Sequence, residues 1–214
     1  MMRSLFTALL LLASTPQVEA HPHIFVDANG SFIFNEAGEL VGVRIYWLYD
    51  AYSTLFIYDT QNLDEDGDGA LSAADLEKVM LGETTWPADY EGDTYLFIGD
   101  EKQALSRPMQ ASAELVAGRI GVSFELHLEA PQDMAGNHAR LKIYDPTYYY
   151  AYSVPGEGSI LGNASGCQVW VDRPDSDAQM AELQQELSAL SREETPNDLN
   201  IGAKFAEDII LQCD

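Results

Sequence analysis

Apolar residues occupy every second position in several short segments, and this two-residue period constrains the fold more than any other feature of the chain. Residues 40–48 and 120–128 show it along their whole length, which is typical of strands with one buried face. Such segments lie on both sides of a short helical stretch at residues 50–82. The pattern predicts a mainly β or α+β fold, an antiparallel β-sandwich with an inserted helix-loop-helix.

Three helical segments are predicted. Asp50 is expected to cap a helix over residues 51–59, in which Tyr52, Leu55 and Phe56 pack inward. A second helix is expected to end at Gly82. Residues 176–191 carry apolar side chains at helical spacing and predict a C-terminal amphipathic helix. We expect all of these segments to belong to one domain, at residues 21–214.

Residues 1–20 have the features of a secretory signal peptide. A short basic start precedes an apolar run at residues 5–13, which is too short to span a bilayer, and small residues at Val18 and Ala20 mark a cleavage site. Cleavage there makes His21 the first residue of an exported chain. After residue 20 no apolar run reaches bilayer length, so we expect no transmembrane segment in the mature protein.

The charge and the cysteines narrow the function classes further. A formal charge of −24 repels nucleic acid and excludes it as a partner. The charge either attracts cations or keeps the protein soluble.

Cys167 and Cys213 are the only cysteines. In an exported chain the default expectation is a disulfide between them, with a thiol metal site as the alternative.

An acidic segment at residues 64–75 matches the twelve-residue loop of an EF-hand. Carboxylates stand at positions 1, 3 and 5, and Gly69 at position 6 permits the sharp bend that such loops require. The spacing predicts calcium ligands at Asp64, Asp66, Asp68, Ala70 (through its carbonyl), Ser72 and Asp75.

Position 12 of this loop departs from the usual pattern. Asp75 is one methylene shorter than the usual Glu, so we expect weak calcium binding, with a Kd on the order of 10⁻⁴ to 10⁻³ M and with Mg²⁺ as a competitor. We interpret the calcium as structural, since extracellular calcium seldom changes enough to act as a signal. The alternative is an acidic surface turn without an ion.

Cleavage after Ala20 also creates a second candidate metal site. His21 offers its α-amine and its imidazole, and His23 lies on the same side of an extended chain. Pro22 lacks the amide proton that a square-planar amino-terminal copper site needs. Imidazole suits Zn²⁺, Cu²⁺ and Ni²⁺. Candidate additional donors are His127, His138, Asp145 and Glu125; the alternative is a polar terminus with no ligand role.

The segment from Asp145 to Tyr152 is rich in tyrosine. Aromatic residues in strands most often serve packing, and a recognition surface is the other interpretation.

These features together resemble the DUF1007 family of exported bacterial proteins. The resemblance is carried by the segment 21–27 (HPHIFVD), Trp47, the acidic loop at 64–75, and the segment 144–149 (YDPTYY). It implies a periplasmic component of an uncharacterised ABC-type transport system. It also implies an association with nickel, cobalt or zinc transport, which strengthens the metal interpretation of His21 and His23.

The residues leave three functions open, in decreasing order of preference. The first is a non-catalytic periplasmic accessory that binds Zn²⁺, Ni²⁺, Co²⁺ or Cu²⁺ and serves an inner-membrane metal transporter. The second is a calcium-stabilised protein-interaction domain without a transition metal. The third is a copper enzyme built on the N-terminal histidine. We expect no enzyme, because neither GxSxG nor HExxH occurs in the sequence.

Overall fold

Two β-sheets make up the fold, with a helical pair inserted after the first hairpin. The computed structural model describes residues 22–175, 177–178, 181–182 and 200–214. In chain order its elements are β1 (Ile24–Phe34), β2 (Leu40–Tyr49), α1 (Ala51–Gln61), α2 (Ala73–Thr84), β3 (Thr94–Ile98), β4 (Glu101–Lys102), β5 (Met109–Val116), β6 (Arg119–Gln132), β7 (His138–Ile143), β8 (Tyr150–Ser153), β9 (Ser159–Leu161), β10 (Cys167–Asp172), α3 (Ile201–Phe205) and β11 (Asp208–Cys213).

The first sheet has the order β5-β6-β2-β1-β8, with β9 also paired to β1. The second has the order β10-β11-β7-β3-β4. The mainly β, sandwich-like prediction is therefore confirmed. One pairing differs from the antiparallel expectation, because β8 and β9 run parallel to β1. The chain reaches β8 from β7 of the other sheet rather than through a hairpin, so antiparallel pairing is not imposed by a tight turn.

The core lies between these sheets. Side chains of the first sheet, such as Phe32 and Phe124, and of the second, such as Leu141, are fully buried. Gly30 in β1 marks the closest approach: a Cβ there would lie 2.5 Å from Leu141 Cδ2 and 2.7 Å from Ile209 Cδ1. The absence of a side chain at this position lets the second sheet pack directly on the β1 backbone.

Helix α1 begins where predicted but presents a different face to the core. Asp50 caps it, accepting hydrogen bonds from the Tyr52 and Ser53 amides. The predicted inward packing of Tyr52, Leu55 and Phe56 is wrong, since their exposed fractions are 77%, 66% and 59%. Instead Ser53, Thr54 and Ile57 are buried.

The reason for this orientation is a hydrogen bond that the apolar periodicity of the helix does not reveal. Thr54 Oγ1 accepts from the amide of Ile120 at 3.1 Å, in a buried position near the start of β6. An unsatisfied buried amide costs about 1–3 kcal/mol. Turning Thr54 inward avoids that cost and leaves the larger apolar side chains of α1 outside.

The predictions for the second helix and for the C-terminal helix are compared with the structure in turn. Helix α2 passes through Gly82 and ends at Thr84, so the prediction that Gly82 stops it is wrong. The amphipathic helix predicted at residues 176–191 lies almost wholly outside the described residues; residues 177–178 and 181–182 are helical. No helix in the described part of the chain is both long and apolar enough to cross a bilayer.

The predicted disulfide joins the last two strands. Cys167 and Cys213 face one another across the β10–β11 ladder and are bonded, with a sequence separation of 46. The link fixes the end of the chain to β10, and Cys213 is buried in the core. A disulfide of this kind is consistent with export into an oxidising compartment.

We expect removal of this disulfide to lower the free energy of unfolding by roughly 4 kcal/mol, because opening a loop of this length restores chain entropy to the unfolded state. The measurement is urea denaturation of a Cys167→Ala/Cys213→Ala variant. Dithiothreitol should shift the wild-type midpoint in the same direction and leave the double variant unchanged. An unaltered midpoint in the variant would contradict the expectation.

Candidate functional site

The acidic loop between α1 and α2 brings three of its predicted ligands together. Oxygens of Asp64, Asp66 and Asp68 lie within 4.8 Å of one another. Among the described residues these three form the one group of at least three His, Cys, Asp or Glu side chains that converge in this way. Carboxylate oxygens are the donors that Ca²⁺ prefers, at about 2.3–2.6 Å from the ion.

Backbone geometry explains why the loop closes. Asp64 accepts hydrogen bonds from the amides of Asp68 at 3.0 Å and Gly69 at 3.1 Å, which folds positions 5 and 6 back over position 1. Gly67 and Gly69 have φ values of 70° and 81°, a region that favours glycine. Position 6 of the loop therefore has the backbone conformation for which a glycine was predicted.

The last two predicted ligands, Ser72 and Asp75, lie at the start of α2 and not in the converging group of three carboxylates. Asp75 and Ser72 form a capping box at the start of α2, in which the Ser72 hydroxyl and amide both donate to Asp75 Oδ2, at 2.7 and 3.1 Å. The Ser72 hydroxyl lowers the pKa of the Asp75 carboxyl. Lys78 Nζ lies 3.4 Å from Asp75 Oδ1. Asp75 thus begins the helix and lines the same open cavity of about 390 Å³ as Asp66, Asp68 and Ala70.

Of the predicted transition-metal ligands, His21 lies outside the described residues and His23 lies within them. His23 is exposed just before β1; its amide donates to the carbonyl of Tyr149 at 2.9 Å, and its ring centroid lies 5.0 Å from that of Tyr149. Asp145, one of the candidate donors, accepts from the Tyr149 amide at 2.8 Å. The site itself stays a prediction.

The candidate donors on β6 are engaged elsewhere. Glu125 is buried and accepts from His127 Nε2 at 2.9 Å and from Arg44 Nη2 at 2.5 Å. Burial alone raises the pKa of Glu125, but the bonds from His127 and Arg44 outweigh it and lower that pKa. The contact with Arg44 of β2 gives Glu125 a structural role in joining β6 to β2, and His127 supports Glu125 from within β6.

A second concave site, which the sequence did not indicate, lies at the far end of α2. It has a volume of about 330 Å³. Its walls come from β2, the end of α2 and the loop after it, and β8; the aromatic members are Trp47, Tyr49, Trp86, Tyr90, Tyr150 and Tyr152. We call it the aromatic pocket.

Two carboxylates in the aromatic pocket are held by phenols. Asp93 is only 4% exposed and accepts a hydrogen bond from Tyr152 Oη at 2.8 Å. The hydroxyl of Tyr90 also donates to this carboxylate. Half-buried Glu83 accepts from Tyr49 Oη at 2.5 Å. Burial raises the pKa of Asp93 to about 6 and also raises that of Glu83. Desolvation disfavours the charged form of each group.

The tyrosine run between Asp145 and Tyr152 therefore has more than one role. Tyr150 and Tyr152 line the aromatic pocket, whereas Tyr148 packs on Phe205 with ring centroids 4.9 Å apart. Alternation along β8 places Tyr150 and Tyr152 on one face, and this period was the available signal for them, whereas Tyr148 precedes the strand and has a φ of 60°. Other residues of the aromatic pocket could not be predicted from any sequence pattern, because they come from segments far from β8 in the chain. They are Glu83, Trp86, Tyr90 and Asp93.

The two segments that carry the family resemblance are neighbours in space. The start of β1 pairs with β8, placing Ile24 opposite Tyr150 and Asp27 opposite Ser153. Asp27 also forms an ion pair with Arg119, with Nη1 and Oδ2 at 2.8 Å. At the start of β1 the Tyr149 carbonyl accepts hydrogen bonds from the amides of His23 and Ile24, at 2.9 and 3.3 Å, so the described part of the HPHIFVD segment lies beside the end of the YDPTYY segment.

A family model described as "Protein of unknown function (DUF1007)" matches residues 6–213. The chain belongs to the DUF1007 family. An uncharacterised protein of Haemophilus influenzae is 26% identical to it over 212 residues, covering 98% of each chain. This DUF1007 member thus has a bacterial relative of the same extent.

A solved structure, the acetylcholine-binding protein type 1 of Biomphalaria glabrata, aligns with 93% of this chain and 90% of its own. The identity is 14% and the TM-score 0.36. These values are too low to show a shared fold.

The raised pKa of Asp93 predicts a pH-dependent loss of stability. The folded protein keeps the Asp93 proton up to about pH 6, whereas the usual value is 3.8. The free energy of unfolding should therefore fall as pH rises through this window, by on the order of 2–3 kcal/mol from this group. Asp93→Asn keeps an acceptor for Tyr152 and Tyr90 but has no proton to lose.

Denaturation curves between pH 4 and pH 7 test this expectation. Asp93→Asn should remove the fall that Asp93 causes, while Asp89→Asn, which removes an exposed carboxylate nearby, should retain it. Parallel pH curves for the wild type and Asp93→Asn would show that burial of Asp93 has no such effect.

Proposed function

We propose that this DUF1007 protein is a non-catalytic, calcium-stabilised binding domain of the bacterial periplasm. The observation that carries the proposal is the convergence of Asp64, Asp66 and Asp68 within 4.8 Å in a loop between two helices. In an EF-hand these are positions 1, 3 and 5, and the ion bridges them. The Cys167–Cys213 disulfide supports export.

The calcium would act on the inserted helices. The three carboxylates repel one another until a cation neutralises them, and the loop that carries them connects α1 to α2. Only Ile57 of α1 and Val79 of α2 are buried apolar side chains of these helices. Helices with so little buried apolar surface gain much of their order from the loop between them.

Calcium should raise the free energy of unfolding. With a Kd on the order of 10⁻⁴ to 10⁻³ M, 10 mM calcium gives about 1.4–2.7 kcal/mol by mass action. Thermal unfolding with calcium and with a chelator measures this gain, and Mg²⁺ should give less of it.

Two neighbouring substitutions separate ion binding from a simple change of charge. Asp66→Asn removes a proposed ligand and should abolish most of the gain. Glu65→Gln removes the same charge one position away, outside the converging group, and should leave the gain intact. Equal responses of the two variants would show that calcium acts only by screening the acidic surface.

Transition-metal handling is a second candidate function, favoured by the position of His23. This residue is exposed and is anchored to the β8 end by the Tyr149 carbonyl at 2.9 Å. In a mature chain beginning at His21, an α-amine and two imidazoles would lie at the edge of the first sheet. Such a site would present Zn²⁺, Ni²⁺, Co²⁺ or Cu²⁺ to an inner-membrane metal transporter as partner.

We expect the chain that begins at His21 to bind Zn²⁺, Ni²⁺ or Cu²⁺ in calorimetric titration, and His21→Ala/His23→Ala to lose that binding. A chain that begins one residue earlier, at Ala20, keeps both imidazoles but moves the α-amine away. It should bind at least about tenfold more weakly, because it loses a chelate ring. Binding that the double variant retains would place the metal elsewhere.

A further inference from the structure

The aromatic pocket has an unusual combination of walls and charge. Its lining includes the carboxyl side chains of Glu83 and Asp93, and among the described residues that line it none is Lys, Arg or His. Buried acidic groups in proteins are normally paired with a cation. Here the protein supplies phenol hydroxyls to both carboxyls and no cationic partner among these lining residues.

The aromatic rings form a continuous surface around this acidic interior. Ring centroids of Trp47 and Trp86 lie 6.5 Å apart, those of Trp86 and Tyr90 5.5 Å apart, and those of Trp47 and Tyr152 5.8 Å apart. Tyr150 stacks on Tyr152 at 6.1 Å. The faces of Trp and Tyr attract cations within about 6 Å of the ring centroid, and several such faces together bind quaternary ammonium groups.

One polar group in the lining also has no partner. The indole Nε1 of Trp47 is buried and has no hydrogen-bond acceptor among the described residues. An N–H donor buried in this way costs free energy unless an acceptor meets it.

The geometry points to an organic ammonium ion as the ligand of the aromatic pocket. The volume of about 330 Å³ falls at the lower end of the range for small-molecule sites. A bare metal ion fits less well, because the pocket carboxyls are not among the described groups of three that converge within metal-binding distance. The Asp145 carboxylate is also committed to its own turn, accepting from Thr147, Tyr149 and Tyr150.

Choline and 3,3-dimethylbutan-1-ol test the inference directly. The two molecules have the same shape and the same hydroxyl, and they differ in that a quaternary nitrogen replaces a carbon. We expect choline to bind at least about tenfold more tightly than the neutral alcohol, since the cation–π and carboxylate attractions act on the charge alone. Tetramethylammonium, which carries the same charge without the hydroxyl, should bind too.

Calorimetry measures the affinities, and tryptophan fluorescence reports the location because Trp47 and Trp86 line the pocket. Asp93→Asn should weaken choline at least about tenfold. Asp89→Asn, with the same charge change on an exposed side chain outside the lining, should not. Trp86→Leu should also weaken choline, and its circular dichroism spectrum checks that the fold is retained.

Several results would overturn the inference. These are equal affinities for choline and its neutral isostere, no binding of either ammonium ion in the millimolar range, or an unchanged choline affinity in Asp93→Asn. The inference does not rest on calcium, so the titration is run with calcium and again with a chelator. Binding that discriminates by charge in either condition supports the pocket, even if the calcium loop proves empty.

Discussion

The close packing of the two sheets at Gly30 is the constraint on which the rest of the structure depends. Leu141 and Ile209 of the second sheet contact the β1 backbone there, and a methyl group would displace both. The same strand pairs with β2 on one side and with β8 and β9 on the other, so it joins the main part of the first sheet to its last strands. Its start also brings His23 and Ile24 beside Tyr149.

Helix α2 connects the two candidate sites. It begins at the capping box of the acidic loop, with Ser72 and Asp75, and it ends beside Glu83, which lines the aromatic pocket. A cation in the loop would therefore order one wall of the pocket about one helix length away. The two proposals are independent in chemistry but share this element.

The net charge of the chain is −24, and each of the two candidate sites contains acidic side chains. In the loop the carboxylates converge, with Asp66 and Asp68 exposed and Asp64 half-buried, which suits a hard, hydrated ion such as Ca²⁺. In the pocket Asp93 is buried among aromatic rings, which suits a larger and weakly hydrated cation. The same sign of charge would thus serve the two proposed classes of cation, because the surroundings differ in polarity.

Local features could be predicted from the amino-acid sequence: the strand periods, the Asp50 cap, the spacing of Asp64, Asp66 and Asp68, and the cysteine pair. Each depends on neighbours within a few residues, or on two cysteines with no other partner. Tertiary structure alone decided which face of α1 is buried, because Thr54 meets an amide of distant β6. It also decided the aromatic pocket, since Trp47, Asp93 and Tyr152 meet only when the sheets pack. Local periodicity carries no information about contacts between such distant segments.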